Sequence, residues 1–148
     1  MLVLLLAHRK NIPAAEIYMK TGTAKNTKYI PVHILHEMLS PAVTEGLIAF
    51  HAMTGCDTTS YFYRKGKKTA LQVFQHQPNL LRNIGKTEGS AQSETYVDAE
   101  KFVCSLYGLP ELGLVDSVRA SLFRQGKTVD CLPPTSDALK HHVDRCHY

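Results

Sequence analysis

The sequence predicts an α/β fold: a parallel-sheet core at its start, followed by a mainly helical C-terminal part. Leu2-Val3-Leu4-Leu5-Leu6-Ala7 is a continuous apolar run without helical alternation, the pattern of a strand buried on both faces of a parallel sheet. Beyond residue 30, apolar residues recur at spacings of three and four, the signature of amphipathic helices. With 148 residues, 44% apolar and 20% charged, the chain is long enough for one core and too apolar for disorder.

Taken in order, a second short strand is expected over Glu16 to Met19, and the Gly-, Thr-, Asn- and Lys-rich stretch Thr21 to Lys28 reads as a turn into Tyr29-Ile30. Pro31 suits the first turn of a helix through Val32 to Leu39, with Ile34, Leu35, Met38 and Leu39 on one side. Ser40 caps a second helix from Pro41, which carries Val43, Leu47, Phe50 and Met53 toward the core and ends at Gly55. A short helix continues through Leu71, Val73 and Phe74 and stops at Pro78, its first turn holding the cations. Residues 83–93 lack periodic apolar positions and read as a linker. Ala99, Phe102, Val103 and Leu106 mark an amphipathic helix from Glu94 to Tyr107; Leu114, Val115, Val118, Leu122 and Phe123 mark another, ended near Gly126. Thr135 offers a cap for a last helix in which Leu139, Val143 and Cys146 share a face.

Chemistry concentrates between residues 50 and 70. An apolar helical run ends at Gly55, Asp57 follows, and Gly66 then sits among Arg64, Lys65, Lys67 and Lys68 before the next helix begins. Asp57 offers an oxygen ligand for a divalent cation, and backbone N–H groups after Gly66 can face a phosphate, helped by the helix dipole and the lysines. The bland alternative makes Gly55 a C-cap, Asp57 or Thr58 a turn cap and residues 64–68 a solvated loop.

The stretch resembles the PIN-like domain of the flap endonuclease and XPG superfamily, in which a Gly-x-Asp after an apolar run precedes a loop of Gly-x-Gly-x-Lys-x-Ala type. Gly55-Cys56-Asp57 and Gly66-Lys67-Lys68-Thr69-Ala70 correspond to these motifs, with Arg64 where the first glycine of the loop would stand. The run His51-Ala-Met-Thr-Gly-Cys-Asp-Thr-Thr-Ser and the segment Leu132 to Leu139 are similar to a group of animal PIN-like proteins. The resemblance implies a partial PIN-like core over residues 1–82, a linker over 83–93 and a helical C-terminal extension over 94–148. It also implies Asp57 as a ligand to Mg²⁺ or Mn²⁺, and Arg64, Lys65, Gly66, Lys67, Lys68 and Thr69 as the contact to a DNA or RNA backbone.

Family members carry an Asp-x-Asp pair just before the strand that corresponds to Leu2–Ala7, whereas this sequence opens at Met1. The expectation is therefore an N-terminally truncated, nucleic-acid-binding remnant with an incomplete catalytic site, because two-metal hydrolysis needs several carboxylates. Before Asp57 the sequence offers only Glu16, Glu37 and Glu45. A metal-dependent structure-specific nuclease, if the chain is part of a longer protein, and a helical protein-interaction module are the alternatives.

The net charge of +4 is modest, but residues 51–86 hold six Lys or Arg against Asp57 alone, a local balance of +5. Such a patch points to a polyanion. Cys56, Cys104, Cys131 and Cys146 show no CxxC spacing, and with no secretion signal they read as reduced thiols of an intracellular protein, nuclear or cytoplasmic, with Cys104 packed as a small hydrophobe. The Leu-rich start is too short for a membrane span, so no membrane partner is expected. No zinc is expected either: His33 and His36, or His141, His142 and His147 with Cys131 and Cys146, lack paired ligand spacings. A protein partner would meet an exposed sheet edge, left by missing neighbours of the Leu2–Ala7 strand, or the helices. Neither a P-loop nor a dinucleotide or G-x-S-x-G motif is present.

Overall fold

The structure, a computed structural model, describes residues 1–86 and 91–147. Two compact units divide the chain, Met1–Ile48 and Ala49–Tyr148.

In the first unit, α1 (Leu2–Ala7) is followed by a 3-10 turn at Arg9–Asn11, the strands β1 (Tyr18–Thr23) and β2 (Asn26–Pro31), α2 (Val32–Met38) and the start of α3 (Pro41–Met53). The strand expected at Leu2–Ala7 is a helix, and the parallel sheet expected with it is not formed by the described residues. Physically, four leucines and an alanine are strong helix formers, and Val3 is the single β-branched residue among them. A strand buried on both faces also needs neighbours on both edges; here the run packs instead on α2 and buries Leu6.

The sheet is a two-stranded antiparallel hairpin, in register from Tyr18↔Pro31 to Thr23↔Asn26. Residues 21–28, expected to be a turn, therefore lie mostly within strands, leaving Ala24 and Lys25 as the two-residue connection. Threonine and tyrosine favour extended backbone, and cross-strand pairs such as Lys20–Tyr29 and Thr21–Lys28 set the register. His33 Nδ1 accepts the Ile17 N–H at 3.2 Å, and its ring meets Tyr18 edge to face, so this histidine ties α2 to the base of the hairpin. Ser40 caps α3 as expected, its Oγ accepting the Val43 N–H at 3.3 Å.

The second unit begins in the last turn of α3 and continues with α4 (Lys67–His76), α5 (Ser93–Leu106), α6 (Val115–Arg124) and α7 (Ser136–His147). The apolar stripes foreseen for these helices form its core. Helix α5 packs against α4, α6 and α7 and places Ala99, Phe102, Val103 and Cys104 fully out of solvent. Phe74 of α4 is also fully buried and stacks on Phe50 with ring centroids 4.9 Å apart. Val115, Val118, Leu139 and Val143 close the core from α6 and α7. The expected cap of α7 forms, with Thr135 Oγ1 accepting the Ala138 N–H at 3.2 Å.

Within the segment expected to be a linker, residues 87–90 lie outside the described residues. On either side of them Ile84 and Ala91 are buried, and the Gly85 N–H donates to His147 Nδ1 at 3.2 Å. None of the described helices is long and apolar enough to cross a membrane.

Candidate functional site

The site is built on the C-terminal end of α3. Gly55 adopts φ +95°, the left-handed conformation that stops the helix, and Tyr61 then packs over it. Between them, residues 56–60 fold into a loop that satisfies the helix end. The Thr59 hydroxyl donates to the Ala52 carbonyl at 2.6 Å, and the Cys56 N–H returns to the Thr59 carbonyl and hydroxyl, both at 3.2 Å. In the Thr-Gly-Cys-Asp-Thr-Thr-Ser run, then, Gly55 and two threonines hold the backbone, Thr59 on Ala52 and the buried Thr54 on the Phe50 carbonyl at 2.7 Å, while Asp57, Thr58 and Ser60 are exposed.

Lys67 completes this end from the first turn of α4. Its ammonium donates to the Gly55 carbonyl at 2.6 Å, the Thr54 hydroxyl at 3.0 Å, His51 Nδ1 at 3.3 Å and the His51 carbonyl at 3.4 Å. A cation on carbonyls at a helix C-terminus is favoured by the helix dipole. Burial lowers the pKa of Lys67, and burial followed by the neighbouring ammonium lowers that of His51, which stays neutral and accepts the bond. This lysine brings the loop carrying Asp57 beside the turn carrying the other cations.

Those cations differ in kind. Lys65 is half-buried, its ammonium 4.4 Å from the centroid of the Tyr107 ring, and burial lowers its pKa. Arg64 adopts φ 57°, unusual for a side chain larger than Asn, and its guanidinium lies 5.6 Å from the Tyr63 ring. Arg64, Gly66, Lys68 and Thr69 are exposed, and Arg64 and Lys68 have no carboxylate partner among the described residues. The first intrahelical bond of α4 runs from the Ala70 N–H to the Gly66 carbonyl at 3.1 Å, and no side chain caps the N–H groups of Lys67, Lys68 and Thr69 that precede it. A side chain at Gly66 would meet nothing within 4 Å, so this helix start faces open space.

Asp57 is exposed and makes no hydrogen bond among the described residues; its charge is felt at His51. Among the described residues no three His, Cys, Asp or Glu side chains gather where they could hold a metal ion. A single surface carboxylate does not fit a two-cation hydrolytic site, which needs several carboxylates around the ions. The histidines and cysteines near the C-terminus have partners of their own. His142 Nε2 lies 3.0 Å from the Met53 carbonyl, His147 accepts from Gly85, His141 faces Asp137 at 3.9 Å, and Cys131 Sγ accepts from Thr128 at 3.3 Å.

Cys56 has a chemical character its spacing did not reveal. Its Sγ lies 3.3 Å from the Thr58 hydroxyl and 3.2 Å from that of Thr59, and hydrogen bonding, from Thr58 first, lowers the pKa of the thiol. Thr59 has one hydroxyl proton and gives it to Ala52, so Thr58 is the hydroxyl left to donate to a thiolate. Burial pushes Cys104 up to about 11 and Cys146 up to about 12. Because the thiolate is the nucleophile, reactivity rises with pH through the pKa. Iodoacetamide labelling followed by peptide mass spectrometry is expected to modify Cys56 well before Cys104 and Cys146, with a half-maximal pH below the ordinary thiol value. Thr58→Ala should move that midpoint up toward the ordinary thiol value of about 8.5; an unmoved midpoint would show that Thr58 is not the donor.

Sequence reasoning also passed over Tyr61, Tyr63, Tyr107 and Arg145, which line an open groove of ≈ 270 Å³ beside the turn. The alternating Tyr-Phe-Tyr before Arg64 was the signal for it. Comparison with protein-family models, with curated proteins and with solved structures finds no match to this chain.

Proposed function

We propose that the chain binds the phosphate backbone of a nucleic acid at the start of α4. One observation carries this reading: the uncapped N-terminus of a ten-residue helix opens to solvent between exposed Arg64 and Lys68, with no carboxylate partner for either cation among the described residues. Backbone N–H groups at a helix start and flanking cations together favour a phosphate. Lys67 supports the site from beneath, and Lys65 contributes charge from the face of Tyr107. Kinship with PIN-like domains belongs to the same proposal. It rests on Gly55 to Asp57 and Lys65 to Ala70 rather than on a parallel sheet, since the run at Leu2–Ala7 is helical.

Fluorescence anisotropy with a labelled oligonucleotide, titrated with salt, tests the reading. Arg64→Ala and Lys68→Ala should each weaken binding and reduce the slope of log affinity against log salt by about 1. Affinity and slope equal to those of the unaltered chain would overturn it.

A further inference from the structure

The groove beside the turn is built by strand-like alternation. Phe62 is buried and meets His142 edge to face at 5.5 Å, so its neighbours Tyr61 and Tyr63 point outward, 72% and 47% exposed. Arg64 then turns the chain sharply; Arg145 lines the groove, and the Arg64 guanidinium and Lys65 ammonium lie 5.6 Å and 4.4 Å from the rings of its lining residues Tyr63 and Tyr107. Large aromatic rings left in water beside cations are a costly surface for a chain to keep, and this combination is the one that takes a flat π-system joined to an anion. Tyr107 forms the floor, held by its hydroxyl bond to the Leu132 carbonyl at 3.4 Å. A volume of ≈ 270 Å³ is just below the usual range for drug-sized ligands and leaves room for one nucleobase.

We infer that this groove seats an unpaired base of a single-stranded nucleic acid, stacked on Tyr61 or Tyr63, while the adjoining phosphate lies on Arg64 and the start of α4. The inference rests on the backbone-binding reading above and adds the class of strand: a duplex keeps its bases stacked inward and offers the groove nothing. Arg145 serves the phosphate on the far side of the base.

The full chain is titrated against fluorescein-labelled oligo-dT, oligo-U, an abasic strand of equal length and a duplex. Single strands bearing bases are expected to bind more tightly than the abasic strand and the duplex, with quenching of tyrosine emission, which is readable because the chain has no Trp. Tyr61→Ala with Tyr63→Ala should weaken binding of the base-bearing strands about tenfold or more and leave abasic binding unchanged. The dT and U arms distinguish DNA from RNA. Equal binding of base-bearing and abasic strands by the unaltered chain overturns the groove inference and leaves the phosphate reading standing. Failure of every oligonucleotide to bind overturns both.

Discussion

Replacing Gly55 with alanine is expected to destabilise the second unit by about 3 kcal/mol, the sum of holding a side chain at positive φ and of overlap with a neighbour. The backbone at Gly55 sits at φ +95°, and an added Cβ would come within 2.6 Å of the Tyr61 Cβ and 2.9 Å of its Cα. These are atoms close to the main chain, so a change of rotamer cannot relieve the overlap. Either the α3 terminus or the loop through Tyr61 must shift, and with it the Thr59–Ala52 bond and the carbonyl that receives Lys67. Urea unfolding monitored by circular dichroism gives the difference directly. A loss below about 1 kcal/mol, less than a side chain at positive φ costs by itself, would mean that the loop is not packed as described. The same variant should bind oligonucleotides more weakly, because the turn at residues 64–68 is anchored to the displaced end.

The second large effect separates two adjacent lysines. Lys67→Ala is expected to lower stability by about 1–2 kcal/mol, the range for charge-assisted hydrogen bonds that are partly solvated. It removes the donor shared by Gly55, Thr54 and His51. Lys68→Ala should leave stability within about 0.5 kcal/mol, as for exposed positions without special contacts, and reduce polyanion binding alone. A double variant of both lysines would mix a loosened scaffold with a lost contact, so the two positions are to be measured separately. Urea midpoints that are the same for the two single variants would refute the capping role of Lys67. Loss of binding in Lys67→Ala that is restored in Lys67→Arg would assign it to support, since arginine can still reach the carbonyls.

The helical half of the molecule was legible because its signal is long and periodic. Ala99, Phe102, Val103 and Leu106 fall on one face only in a helix, and the helix found at Ser93–Leu106 differs from the expected span by a single residue at each end. Gly55, Pro78 and Thr135 mark termini through local backbone chemistry that a sequence displays directly. Leu2–Ala7 was not legible for the opposite reason. Six apolar residues fit a buried strand or a helix equally well by pattern, and only the presence or absence of neighbouring strands decides between them. The hairpin shows the same dependence, since Thr21 to Lys28 has turn-like composition yet is extended wherever a partner strand satisfies its amides.

In the candidate site, the amino-acid sequence by itself determined that one carboxylate, one glycine stop and a cluster of cations lie within twenty residues, and that a helix begins among them. Tertiary structure decided what each charge is for. It placed Lys67 on the carbonyls of Gly55 and His51, Lys65 on the face of Tyr107, and left Arg64 and Lys68 to solvent. The physical reason is that a lysine's role depends on which acceptors or rings come within about 3–6 Å of its ammonium. Those partners are supplied by chain 12 to 42 residues away, a distance at which composition and spacing carry no geometric information.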